Sequence, residues 1–227
     1  MYKDILVIDL SQGDLKMLEK VSKVAVQTNT LPKLYCEDLE DIVHKIDIQN
    51  PKWPCFIRFD SCSPKDAGCL KVQNSWEVVS VLVRSKRLYK IYSDNIPEKI
   101  ILRPWDQNIW DNRDKNEHRV FVHNNKITAI SQYDCYNNHN FSRFRISYPL
   151  IIEHIKEIQH QVETAFKLQS YVIDVFVGEP EQYVVQFIEI NPFGMESPCG
   201  SCLFHWVDDQ KILYGDGTNI QIRYVVQ

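Results

Sequence analysis

Apolar positions recur along the chain with two periods, and the change from one to the other divides it. An apolar run over residues 4–9 reads as a strand, and Leu39, Ile42, Val43 and Ile46 then repeat at helical spacing. "CFIRF" (55–59) alternates as a short strand, and a helix opens at Asn74 with Glu77 three residues on, the spacing of a capping box. Residues 1–98 therefore read as a small α/β lobe. From residue 99 onward the pattern becomes antiparallel hairpins around one long helix. "YPLIIEHIKEIQHQVETAFKLQ" places Ile151, Ile155, Ile158, Val162 and Phe166 on one stripe, with Pro149 suited to the first helical turn. A second lobe, 99–227, begins near "KIILRPW". Two lobes with largely antiparallel sheets make the fold class α/β of the α+β kind.

Two hairpins in the second lobe carry charge inside apolar strands. "EHRVFVHNNKITAISQYD" (117–134) folds back at Asn124 and Asn125, residues that tolerate the positive φ of a two-residue turn. Regular pairing from that turn sets His123 against Lys126, Phe121 against Thr128, Arg119 against Ile130 and Glu117 against Gln132. One face then collects Glu117, Arg119 and Gln132, while Val120, Val122, Ile127 and Ala129 face the core. The plainer alternative is an exposed Glu117–Arg119 surface pair.

The second hairpin joins "YVIDVFV" (171–177), with Asp174 embedded, to "YVVQFIEINPFG" (183–194). Strand alternation puts Val185, Phe187, Glu189 and Asn191 on one face, and Val184, Gln186, Ile188 and Ile190 on the other. A four-residue loop, 179–182, pairs Asp174 with Phe187 and brings Glu189 diagonally beside it. Two carboxylates and an amide oxygen would then converge, and like charges that close repel. A hard divalent cation bridging to polyphosphate relieves the repulsion; with oxygen donors only, magnesium fits better than zinc. The competing arrangement is a buried ion pair between these carboxylates and an arginine such as Arg119.

Composition narrows the classes. With 227 residues and 44% hydrophobic content the chain can bury a real core. Its net charge of -4 gives no global positive field, although "RSKRLYK" (84–90) and "RFR" (143–145) are local basic patches suited to an RNA contact. No apolar stretch of roughly 18 residues or more occurs, which argues against a membrane span, and the start does not read as a signal peptide. A cytoplasmic protein is expected. Seven cysteines fit reduced thiols. "CGSC" (199–202), with His205 beyond it, has the spacing of a redox pair or half a zinc site, but no second half follows, and a loop of small residues is the simpler reading. With seven glycines and neither GxGxxG nor GxxxxGK[ST], side chains must do more of any nucleotide holding.

"ILRPW", "HRVFVHNNKITAISQYD", "YVIDVFV", "FIEINPFG" and "LFHW", with "FIRFDSCSPKDA" more faintly, stand in an order and spacing that resembles the cell division cycle protein 123 family. The resemblance covers roughly residues 99–206 well. It implies an ATP-grasp-like fold with ATP and magnesium in the cleft between two lobes. By the same resemblance Asp174, Glu189 and Asn191 would be the metal ligands, with glutamate at 189 where the family usually has aspartate. Arg103 and Trp105 match the segment near the nucleotide, and Arg119 matches an arginine suited to a bidentate grip on phosphate. Gln132, on the same expected face as Arg119, joins the ATP-binding set. Arg58 stands where the family tends to have a phosphate-binding lysine, and Pro104 where it tends to have another. For Arg58 the plainer alternative is a solvated strand-end charge, and for Trp105 core packing.

Familiar members of that family help assemble translation initiation factor 2 through its gamma subunit and carry an aromatic N-terminal segment that is not evident here. ATP-grasp proteins activate an oxyanion for attack by a nucleophile, with magnesium and arginines neutralising developing charge. The leading expectation is an ATP-dependent ligase with Arg119 and Glu189 as catalytic groups and an RNA end as favoured acceptor. The alternatives are an ATP-binding assembly chaperone for initiation factor 2 gamma and a structural domain with an inactive ATP site.

Overall fold

The computed structural model describes residues 4–94, 98–178, 184–197, 199–217 and 219–226. The chain forms two compact units that divide between Asp106 and Gln107. In the first unit the elements run β1 (Leu6–Asp9), α1 (Gln12–Thr28), α2 (Cys36–Asp47), β2 (Cys55–Phe59), β3 (Lys71–Val72), α3 (Ser75–Arg84), α4 (Lys86–Tyr92) and β4 (Lys99–Pro104). The strands form an antiparallel sheet in the order β1-β4-β2-β3. This corrects the expected boundary at 98/99: β4 is bonded on both edges, to β1 and β2, and so belongs to the first unit.

The alternation in "CFIRF" holds. Cys55, Ile57 and Phe59 are buried with Ile100 and Leu102, against a layer supplied by Leu18, Ile42, Leu82 and Leu88 of the four helices. Phe56, Arg58, Ile101 and Arg103 take the opposite face by the same period of two. Helix α1 is not evident in the spacing of apolar residues, because its buried stripe includes Asp14 and Ser22. Its start is marked instead by a reciprocal capping box between Ser11 and Asp14. At α3 the Asn74 side chain accepts from the Glu77 amide at 2.9 Å, while the Glu77 carboxylate takes the Gln73 amide at 2.8 Å.

The second unit runs α5 (Gln107–Asn116), β5 (Glu117–His123), β6 (Lys126–Gln132), α6 (Tyr148–Phe166), β7 (Tyr171–Val177), β8 (Val185–Pro192), α7 (Gln210–Leu213) and β9 (Gln221–Arg223). Its sheet has the order β8-β7-β5-β6-β9, antiparallel except where β9 runs parallel to β6. The long helix α6 covers one face: Tyr148, Ile151, Ile155 and Val162 pack on Val120, Val122, Ile130, Ile173 and Val175. Phe166, expected on that stripe, is 59% exposed because the helix ends there at a left-handed Lys167. On the opposite face Phe121, Ala129 and Val172 are covered by Phe204 and Leu213, with Phe193 and Trp206 packed alongside. Ala129 thus lies on the face opposite to the one expected. Every residue of β7 is buried, so its one carboxylate has no water to turn to.

The reason for the changed faces is a pair of bulges. The turn at Asn124 and Asn125 has φ values of 49° and 62°, as a two-residue turn requires, and His123 faces Lys126. Between Phe121 and Val122 the register shifts: Val122 pairs with Ile127 and Phe121 with Ala129, leaving Thr128 as the extra residue. Arg119 then opposes Ser131, and Gln132 opposes His118. In β8 a second shift pairs Val175 with Phe187 but Asp174 with Glu189, leaving Ile188 extra. Phe187 and Val185 consequently pack toward α6, away from Glu189 and Asn191. The Gly178 amide bonds the Val184 carbonyl at 3.0 Å. The expected four-residue turn, 179–182, lies outside the described residues, and the register beside it differs from the one it would give. No described helix is long and apolar enough to cross a membrane.

Candidate functional site

Arg119, Asp174 and Glu189 stand in line across three neighbouring strands, since Arg119 pairs with Asp174 and Asp174 with Glu189. Asn191 lies two residues beyond Glu189 on the same face. Arg119 holds Asp174 with both arms of its fork, Nε donating to Oδ1 at 2.8 Å and Nη2 to Oδ2 at 2.7 Å. The Asn191 amide donates to the same Oδ2 at 3.0 Å. Asp174 is fully buried and Arg119 is 6% exposed. The network therefore contains the buried ion pair that the sequence leaves as the competing arrangement, and the Glu117–Arg119 surface pair is replaced by it.

Burial raises the Asp174 carboxyl above its ordinary value, against the pull of Arg119, and the neighbouring Glu189 adds to the rise. Burial also works against the Arg119 charge, but the Asp174 carboxylate more than offsets it, and the guanidinium stays protonated. Two further contacts hold Arg119. Its Nη1 donates to the Gly200 carbonyl at 2.5 Å, and its guanidinium lies over the Tyr133 ring at 4.8 Å. Gly200 belongs to "CGSC", so this loop works through a backbone oxygen. The loop is itself tied down by Trp206, whose indole donates to the Cys199 carbonyl at 3.0 Å, and by Ser131, whose hydroxyl accepts from the Leu203 amide at 3.1 Å. Burial pushes the Cys199 thiol up to about 11 and Cys202 up to about 12, far from the range of a reactive thiolate.

Gln132 does not join Arg119. Its amide nitrogen donates to the carbonyls of Asp134 and Asn137, and its oxygen accepts from the Val225 amide, so it orders the chain after β6 and the C-terminal segment. Arg58, Arg103 and Trp105 belong to the first unit. Arg103 lies over the Phe56 ring at 4.5 Å, Lys71 over the Trp105 ring at 5.2 Å, and Arg58 donates to the Phe59 carbonyl at 3.2 Å. They form a basic and aromatic group on the sheet face opposite the one that packs on α1–α4. Ser131, Tyr133 and Gly200 are the neighbours of Arg119 that sequence pattern misses; only the β6 bulge brings Ser131 opposite Arg119.

Among the described residues no three His, Cys, Asp or Glu side chains gather as a metal cluster. The donor set at Arg119 is instead two carboxylates and one amide, all able to offer oxygen. Such a set suits a hard cation such as magnesium.

The family model for D123 matches residues 19–227. The chain belongs to the D123 family. Structures of Cdc123 from Schizosaccharomyces pombe, intact and C-terminally truncated, resemble this D123 chain with TM-scores of 0.67 and 0.68 at 17% and 18% identity. Both matches cover 100% of this chain, and 91% and 90% of those chains. The D123 chain thus has an ATP-grasp-like fold. No curated protein matches it by sequence at a significant level.

Proposed function

We propose that this D123 chain binds ATP with magnesium and uses it for ligase-type activation of an oxyanion, with an RNA end as the favoured acceptor. The observation that carries the reading is the convergence of Arg119, Asp174, Glu189 and Asn191 on one sheet face, in a family whose fold is ATP-grasp-like. Magnesium and ATP would supply a Lewis acid and a transferable phosphoryl group. The oxygens of Asp174, Glu189 and Asn191 are the groups to hold the metal. Among the described residues Arg119 uses three of its five N–H donors, and the remaining two suit a phosphate oxygen. Arg58, Arg103 and Trp105 offer cationic and aromatic contacts to a nucleotide. Lys86, Arg87 and Lys90, all exposed on α4, suit the backbone of an RNA end.

A second reading, assembly of translation initiation factor 2 through its gamma subunit with ATP held rather than turned over, is favoured by one feature. Both Asp174 oxygens are already engaged, so the network is closed without any reactant. Product formation separates the two. Incubation with radiolabelled ATP and RNA oligonucleotides of defined end phosphorylation is expected to give longer RNA with release of AMP or ADP, lost in Glu189→Gln. ATP-dependent capture of initiation factor 2 gamma, with no joined RNA from any combination of ends, would establish the second reading instead.

A further inference from the structure

Tyr133 directly follows β6, and its amide donates to the Glu117 carbonyl at 3.0 Å, which carries the ladder one residue past Gln132 and fixes the root of the side chain. The half-buried ring lies 4.8 Å from the Arg119 guanidinium carbon. The other contacts of that guanidinium are hydrogen bonds: Nε and Nη2 to Asp174, and Nη1 to Gly200. A hydrogen bond fixes the direction of one N–H, whereas an aromatic ring under the cation restrains the plane of the whole fork. Burial, with the charges of Asp174 and Glu117, holds the Tyr133 hydroxyl above its ordinary value, so at neutral pH the ring is a neutral π surface. The ring also makes a contact that does not depend on Asp174. Sharing the Asp174 oxygens with a cation would loosen two of the three hydrogen bonds from Arg119 and leave the ring in place.

We propose that Tyr133 is a positioning residue for Arg119, keeping the guanidinium plane fixed for phosphate when Asp174 is engaged elsewhere. This rests on the reading of Arg119 as a phosphate-binding group. Tyr133→Leu removes the π surface and keeps apolar bulk, while Tyr133→Phe keeps the ring. Two readouts on the full chain test it. Nitrogen-15 NMR of Arg119 should show slow rotation of the guanidinium in the wild type and in Tyr133→Phe, and averaged Nη signals in Tyr133→Leu. Calorimetry with Mg·ATP should show binding weakened about tenfold in Tyr133→Leu and kept within about twofold in Tyr133→Phe. Slow rotation and wild-type affinity in Tyr133→Leu would overturn the proposal, as would equal losses in both variants, which would assign the effect to the hydroxyl. Should the wild type not bind Mg·ATP, the proposed function fails and the NMR comparison alone decides the positioning role. Should Tyr133→Leu not fold, Tyr133→Met, with a flexible apolar chain, takes its place in both readouts.

Discussion

The two sheets of this molecule treat charge in opposite ways. In the first, pairing of β2 with β4 runs in one unbroken register, helices cover one face, and the arginines at 58 and 103 stay half-buried on the other. Their charges keep contact with water, so ordinary strand alternation is enough to place them. In the second, α6 covers one face and the 199–213 segment much of the other, and each of β5, β6 and β7 is largely buried. There Arg119 and Asp174 are buried against each other. They meet across β5 and β7, which pair in regular register, and bulges on β6 and β8 then set Ser131 opposite Arg119 and Glu189 opposite Asp174. A buried charge needs a partner on the neighbouring strand, and an exposed one does not.

The largest effect expected from this contrast is at Arg119. Arg119→Met leaves the Asp174 carboxylate buried and uncompensated, which should cost about 3–5 kcal/mol in chemical denaturation. Arg119→Met combined with Asp174→Leu should recover most of that loss, because the apolar pair needs no solvation. A double variant as unstable as the single one would show that the pair contributes fold-specific geometry beyond charge compensation.

Next in size is a buried histidine behind the site. His118 is enclosed by Phe141, Phe144 and Tyr148, with Nδ1 at 2.9 Å from the Asn116 carbonyl. Burial drops its pKa to about 4, with Arg143 pushing the same way. Between that value and the ordinary 6.5 the unfolded chain takes up a proton that the folded one refuses. Stability is therefore whole above 6.5 and declines as the pH falls toward about 4, by on the order of 3 kcal/mol. His118→Gln should flatten the dependence of unfolding free energy over that window; an unchanged slope would place the titration elsewhere.

The smallest effect belongs to the first sheet. Arg58→Met should change stability by less than about 1 kcal/mol, since the arginine is half-exposed and its Nε bonds one backbone carbonyl. A loss as large as that of Arg119→Met would erase the distinction between the two sheets.

What was legible in the sequence follows the same division. Strand β2, helices α2, α3 and α6, and the Asn124–Asn125 turn rest on local periodicity and turn chemistry, and the folded chain has them where the pattern puts them. Helix α1 was hidden because two of its buried positions are polar, although the Ser11–Asp14 cap was readable. The pairing partners of Arg119 and Asp174 were not legible. A bulge leaves no local mark in "KITAISQ" or "FIEINP"; it is selected by what must be buried on each side of the sheet, so Ser131 rather than Ile130 faces Arg119 and Glu189 rather than Phe187 faces Asp174. For the same reason Gln132 read as a site residue and folds as a brace for the C-terminal segment. The chemistry of Asp174, Glu189 and Asn191 could still be read, because acids and amides embedded in apolar strands need partners wherever the register falls.

We propose that the network around Arg119 is where this D123 chain takes hold of Mg·ATP. Titration calorimetry of the wild type and of Glu189→Gln, with and without a chelator, tests it most directly. Glu189 is half-buried and is not part of the Arg119 fork, so its neutral amide should leave the folded network standing. Metal-dependent ATP binding is expected in the wild type, with a loss of a few kcal/mol of binding free energy, about a hundredfold in affinity, in Glu189→Gln. Equal affinity in the two folded proteins, or ATP binding indifferent to the chelator, would contradict it.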